Sequence, residues 1–297
     1  MLNNASKMVR HVLSDIVKIF KLSIDLISKN YYDLEELLLG LLSRLIQNDE
    51  AVSRIYSKII YERGYIAERG DLLYLKYDGL KWVVRKNIYT DFKFGPLLCL
   101  VGEPYQCWAW FRKYLDMIES FIDVGAYIGG YSVRACNKGI GTYAIEANPE
   151  NARLLLENLA MNCDDSAFNF LSIAAGSKRE RRPMNIKGSK DGYLTSSLVE
   201  HRQEHDDRTR RVEVEVYPLD SIINAERLRL PVLLKIDVEG FEIEVIEGAK
   251  RLLQKVNYIM IESSDINRRI IDKLLSNFNF KVVDNYKSYL LYERMIL

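Results

Sequence analysis

The stretch FIDVGAYIGGYS, residues 121–132, decides how this chain is read. An apolar run enters it and closes on an acid, Asp123, and a valine. Gly125, Gly129 and Gly130 then make a turn that gives way to a helical pattern. A strand that meets a glycine turn at its carboxyl end and continues as a helix opens a βαβ unit, and glycine there lets the backbone approach a ligand closely. The same alternation repeats on the C-terminal side. Apolar runs at 142–145, 168–173, 232–236 and 256–261 alternate with helical patterns that begin at Pro149, near Phe241 and near Ile266. Two last runs, 280–283 and 289–292, lie too close together for a crossover, so they pair as a hairpin around Asp284-Asn285 and one of them runs antiparallel. The expectation is an α/β, Rossmann-like fold with seven strands, mostly parallel, an antiparallel edge hairpin, and a ligand crevice at the carboxyl ends of the strands.

Three regions follow from the periodicity. Residues 1–63 have no proline and almost no glycine, and Val9, Val12, Ile16, Phe20, Ile24 and Ile27 recur at helical spacing, which predicts a helical N-terminal extension. Its apolar stripe suits packing on the main domain, pairing with a second copy in a homo-oligomer, or peripheral membrane contact assisted by Lys7, Arg10, Lys18, Lys21 and Lys29. Residues 64–118 read as a small β/α connecting region: strand-like runs at 72–77 and 80–84 flank Asp78-Gly79, a strong hairpin signal. An aromatic-rich helix over 107–117 follows and is placed to wall a substrate pocket. The main domain is expected over 119–297.

Composition narrows the function. The chain has 297 residues and 48% hydrophobic content, enough for a large core, and its charged residues nearly cancel to +1, so no nucleic-acid partner is indicated. Cys99, Cys107, Cys136 and Cys163 are scattered without a CxxC pair and read as reduced thiols of a cytoplasmic protein. Asp15, Lys18 and Lys21 interrupt the first apolar run, so neither a signal peptide nor a transmembrane segment is expected.

Three groups of residues carry the candidate chemistry. In the first turn, Gly125, Tyr127 and Gly129 precede a helix whose free N–H groups suit an anion, while Asp123 suits an ammonium group; together they fit a bound amino acid better than a phosphate. Glu146 closes the next strand, where a carboxylate can take both hydroxyls of a ribose, and Asn148-Pro149 forms an N-cap followed by N1. The third group, LKIDVEGFE at 234–242, ends an apolar strand with ionisable groups that are costly to bury without a task. Asp237 is the expected catalytic or substrate-positioning group, with Glu239, Glu242 and Glu262 as assistants; capping and loop order are the alternative. No metal is required by the spacing.

Together FIDVGAYIGGYS (121–132), AIEANPEN (144–151), YPLDSI (217–222), LLKIDVEGFEIEVIEGA (233–249) and IESS (261–264) resemble the FkbM family of methyltransferases, over residues 121–283. The resemblance implies a class I methyltransferase fold, S-adenosylmethionine as cofactor, and transfer mainly to hydroxyls of sugars, polyketides or lipids, so that the partner is a small-molecule or glycan acceptor. It also implies that Asp123, Gly125, Gly129 and Glu146 contact the cofactor, and that Asp237, Glu239 and Glu242 form the acidic catalytic region. Family members usually carry asparagine at the position of Tyr127 and an E-P-x-P run at Glu146-Ala147-Asn148-Pro149. A scaffold protein without turnover is one alternative reading; an NAD-type oxidoreductase is another, disfavoured by the glycine spacing.

Residues 176–211 are long and rich in charge, with Lys178, Arg179, Arg181, Arg182, Arg202, Arg208, Arg210 and Arg211. They read as a basic lid or a solvated loop, with Ser196 and Ser197 as acceptor contacts. His201-Arg202-Gln203-Glu204-His205 fits H-x-x-E-H, but the stretch is polar on all sides and is rejected as a zinc site.

Overall fold

A computed structural model describes residues 65–86, 88, 91, 95–96, 105–188, 194–199 and 209–295. The helices expected over 1–63 and the H-x-x-E-H match lie outside the described residues.

The connecting region opens with three strands, β1 (Tyr65–Arg69), β2 (Leu72–Tyr77) and β3 (Leu80–Arg85), which form an antiparallel sheet. Asp78 and Gly79 turn β2 into β3, both at positive φ, as the Asp-Gly pair predicted. Helix α1 (Tyr105–Leu115) follows. Its Trp108, Phe111 and Tyr114 are buried in the core, with Phe111 edge-on to Tyr131 and tilted against Phe121.

The main domain alternates as its sequence predicts. Strand β4 (Ser120–Val124) leads to α2 (Gly130–Asn137), β5 (Gly141–Ile145) to α3 (Pro149–Asn162), and β6 (Phe168–Leu171) ends the first half. The second half contains β11 (Val232–Ile236), the short helix α5 (Glu242–Glu247), β12 (Tyr258–Glu262), α6 (Asp265–Ser276), β13 (Phe280–Tyr286) and β14 (Tyr289–Arg294). They assemble one seven-stranded sheet in the order β13-β14-β12-β11-β4-β5-β6. All neighbours are parallel except β12/β14 and β13/β14. This is the class I methyltransferase fold. The edge hairpin turns at Lys287-Ser288, not at Asp284-Asn285: β13 continues through those two residues, because they pair with Leu291 and Leu290 after a bulge near Val282.

Side-chain alternation along the strands supplies two cores. Phe121, Ala144, Leu233 and Met260 face α1, α2, α3 and the three-stranded sheet. Ile122, Ile145, Leu234 and Ile261 face the opposite side, with Val245 of α5 and Ile271 and Leu275 of α6. Helices α2 and α3 both return against the parallel strands and pack side by side, which brings their carboxyl ends together. Cys136 and Cys163 meet there in a disulfide, with Cα atoms 5.8 Å apart. The expectation of reduced, distant cysteines is thereby corrected, since separation in sequence hid two adjacent helix ends; Cys107, in α1, is buried and lies outside that bridge.

The charged segment after β6, expected as a basic lid or a solvated loop, is a sheet over its described residues. Strand β7 (Ala174–Ala175) pairs in parallel with β10 (Thr209–Tyr217), which pairs with β8 (Glu180–Gly188), which pairs with β9 (Leu194–Ser197). Met184, Ile186, Val214 and Val216 alternate with the charges and form a third core with Leu198 and Phe241. Among the described residues Arg179, Arg181, Arg210 and Arg211 are exposed, and Arg181 sits across the ladder from Glu215 and pairs with it. The excursion leaves and rejoins the main sheet at one neck, where the Gly176 N–H donates to the Tyr217 carbonyl at 3.0 Å. A short helix α4 (Leu219–Ile222) then leads on towards β11.

Candidate active site

The parallel register places Asp123 of β4 directly beside Lys235 of β11. Both side chains point to the same face of the sheet, at its carboxyl edge, and both are almost fully buried. The Lys235 ammonium stands 3.7 Å from Asp123 Oδ1 and donates to Asp237 Oδ2 at 3.1 Å, while lying over the Tyr131 ring. Ser132, in the first turn of α2, donates to Asp123 Oδ2 at 2.6 Å. Asp123 Oδ1 has no hydrogen-bond partner among the described residues. Burial pushes the Asp123 carboxyl above its ordinary range, with Lys235 and Ser132 pulling it back. For Lys235 burial acts to lower the value, but Asp237 and Asp123 outweigh it and raise it above that of an ordinary lysine.

The glycine turn is shaped by close packing. Gly125 has φ +82°, and a Cβ there would sit 1.8 Å from the Asp237 carbonyl oxygen, so the tips of β4 and β11 approach only because this residue has no side chain. Gly129, at φ +97°, is the N-cap of α2, and a Cβ on it would meet Leu155 at 2.8 Å. Tyr127 between them also lies in the left-handed region, at φ 54°.

Glu146 closes β5, and its carboxylate is held by the main chain: Oε2 accepts from the Tyr127 N–H and Oε1 from the Asn148 N–H, both at 2.8 Å. Burial pushes it up to about 7, against the lowering effect of those two N–H groups. Asn148 is the N-cap of α3, accepting from the Glu150 N–H, and its amide donates to Ser196 Oγ of β9 at 2.9 Å. Ser197 Oγ donates to the Glu239 carbonyl at 2.9 Å. Strand β9 thus reaches Asn148 and Glu239, with Ser196 accepting a hydrogen bond there and Ser197 donating one.

The three acids of the third group are separated. Asp237 is partly exposed at the tip of β11 beside Lys235, whereas Glu239 is exposed, at φ 55°. Glu242 is buried and turns back to accept the Gly240 N–H at 2.8 Å, which closes the loop ahead of α5. Burial raises its value, opposed by those main-chain donors. Glu262 at the end of β12 accepts from Ser288 at 3.1 Å. Asp123, Glu146 and Asp237 therefore come together at the ends of three adjacent strands; Glu239 and Glu242 stand behind them in the following loop. Ser132 and Tyr131 join the site without having been singled out, and Lys235, expected there only as one of the ionisable groups of LKIDVEGFE, proves to be the partner of two acids. Only the apolar strand around Lys235 signalled that its charge had to be paired. No cluster of three or more potential metal ligands occurs among the described residues, and no helix among them is long and apolar enough to cross a membrane.

The family model for the methyltransferase FkbM domain matches residues 123–282. The hexuronic acid methyltransferase AglP of Haloferax volcanii is 25% identical over 169 residues, which are 52% of this chain and 60% of that protein's length. Among solved structures, the tRNA m1G37 methyltransferase of M. jannaschii is 15% identical, with 77% of this chain and 58% of that chain covered and a TM-score of 0.38. An S-adenosylmethionine-dependent methyltransferase from Agrobacterium tumefaciens is 8% identical, with 76% and 70% covered and a TM-score of 0.42.

Proposed function

The chain belongs to the FkbM methyltransferase family, and on that premise we propose that it uses S-adenosylmethionine to methylate a hydroxyl of a sugar or glycan, a uronic acid being the first acceptor to try. The observation that carries this reading is the convergence of three carboxylates at the ends of β4, β5 and β11, one of them with a buried oxygen that lacks a hydrogen bond. That oxygen, Asp123 Oδ1, suits an ammonium group, and Glu146 suits a pair of ribose hydroxyls. Two aspartates against one lysine leave net negative charge at the crevice, complementary to a cationic donor. S-adenosylmethionine supplies, when bound, a methyl group on positively charged sulfur that is already activated towards an oxygen nucleophile.

The chain's own residues then have limited tasks. Asp123 and Glu146 hold the donor, and the Gly125 turn lets the backbone lie against it. Lys235 fixes one oxygen of Asp237. The partly exposed Asp237 carboxylate holds the acceptor hydroxyl and takes its proton. Glu239, on the exposed rim, faces the acceptor side, and Glu242 keeps the loop in shape. The hexuronic acid acceptor of the H. volcanii relative is the reason to begin with uronic acids. Cytoplasmic residence, a homo-oligomer and peripheral membrane contact through residues 1–63 complete the proposal.

The test is calorimetric titration of the chain with S-adenosylmethionine and with NAD, followed by transfer of labelled methyl to uronic-acid glycans and to neutral sugars. Binding of the first ligand and label on an ether oxygen are expected; label on an ester oxygen would move the transfer from a hydroxyl to the uronic carboxylate. Binding of NAD alone would support an oxidoreductase, and binding of neither a scaffold.

A further inference from the structure

Two polar arms lead towards Glu146 from outside the family-matched segment 123–282, the first of them hydrogen-bonded throughout. Both begin at Asp91, which is fully buried, and Arg85 at the end of β3. Asp91 Oδ2 accepts from the Arg85 main-chain N–H at 2.8 Å and from Nε at 2.7 Å. Its Oδ1 accepts from Arg85 Nη2 at 2.7 Å and from the Tyr127 hydroxyl at 2.6 Å. Four donors on one buried carboxylate fix its position. The first arm passes through Tyr127, whose phenol is held by Asp91 while its own N–H donates to Glu146 Oε2. A tyrosine at φ 54° is in a conformation that side chains other than glycine adopt only when the surroundings enforce it, and the phenol contact is such an enforcement. The second arm passes through Asn151 of α3, which accepts from Arg85 Nη2 at 2.8 Å and stands close enough to the Glu146 carboxylate to oppose the rise that burial causes in it.

We propose that Arg85 and Asp91 are positioning residues for the donor: acting through Tyr127 and Asn151, they hold the Glu146 carboxylate in the orientation that receives the ribose hydroxyls. The small antiparallel sheet then completes the donor site as well as covering the core. A purely structural link between that sheet and the main domain would be met by the apolar contacts already present, whereas a buried ion pair with two polar outlets, both ending on one carboxylate, is an expensive way to join two surfaces. The inference rests on the reading of Glu146 as the ribose-binding acid.

Calorimetry on the full chain with S-adenosylhomocysteine and its 2′-deoxy analogue separates the two ideas. The wild type should prefer the ribose form. Tyr127→Phe removes one arm with almost no change of volume; it should bind S-adenosylhomocysteine about tenfold more weakly and lose most of the preference over the deoxy form. In turnover the loss should appear in donor KM more than in kcat. Arg85→Gln, which weakens both arms, should show the larger effect. Should Tyr127→Phe bind as the wild type does, or weaken equally for both ligands, the positioning role is wrong and the link is structural. Should Glu146→Gln itself bind both ligands as the wild type does, the donor reading falls and takes this inference with it.

Discussion

Lys235 and Asp123 are paired across adjacent parallel strands, with 3.7 Å between ammonium nitrogen and carboxylate oxygen, and neither side chain is more than 7% exposed. The lysine also serves Asp237, so one buried cation balances two acids. Lys235→Met strands Asp123 without its counter-ion and should lower stability by about 3 kcal/mol. Urea unfolding of the variant measures this, and a midpoint equal to that of the wild type would show that the pair contributes nothing.

Asp237 is the exposed member of that trio. Asp237→Asn keeps the shape and removes the proton acceptor, so kcat should fall about a hundredfold while donor affinity stays near that of the wild type. Steady-state kinetics beside calorimetry checks both halves. Full activity in this variant would remove Asp237 from the chemistry.

Glu146 makes donor binding depend on pH. Its folded value of about 7 lies above the ordinary 4.5, so the folded protein binds this proton more tightly than the unfolded chain does. Its effect on stability is therefore unfavourable as pH rises from 4.5 towards about 7, and is complete above that. Donor affinity should move the other way, because the ionised carboxylate is the better acceptor for two hydroxyls. Titrations at several pH values across this window should show tighter binding towards the alkaline end, and Glu146→Gln should flatten the curve.

Gly125→Ala puts a methyl group 1.8 Å from the Asp237 carbonyl at φ +82°. Backbone atoms cannot swing aside as a flexible side chain can, so the tips of β4 and β11 must separate. A loss of about 3 kcal/mol is expected, with weakened donor binding. Chemical denaturation that finds less than about 1 kcal/mol would mean that the strands tolerate the extra width.

The disulfide closes a loop between residues separated by 27 positions. Cys163→Ser should lower stability by about 3 kcal/mol under oxidising conditions and leave the variant no more sensitive to reductant. Thermal melts with and without a thiol reductant provide the comparison.

Much of the architecture was legible because the central strands β4 and β11 are buried on both faces, with β5 largely so, and announce themselves as apolar runs ending at a polar tip, as at Asp123, Glu146 and Asp237. The N-cap at Asn148 and the Asp78-Gly79 turn were equally direct, since local chemistry decides them. The excursion between β6 and α4 was misread because charge dominates its composition. Met184, Ile186, Val214 and Val216 do alternate there, but opposite-sign partners such as Arg181 and Glu215 became visible only in the ladder. The contact between Cys136 and Cys163 depends on how two helices lie against one sheet face. Arg85 and Asp91 carried no motif at all, and Asn151, although it closes the AIEANPEN stretch, was given no role: their convergence on Glu146 is a product of tertiary packing, and no spacing encodes it.

The single neck at Gly176 and Tyr217 has a practical outcome. A segment whose two ends already meet can be exchanged as a cassette, with the recipient's strand order and donor half kept intact. Replacing the excursion at that junction would accordingly disturb the parallel sheet least, since both cuts fall on one hydrogen-bonded pair.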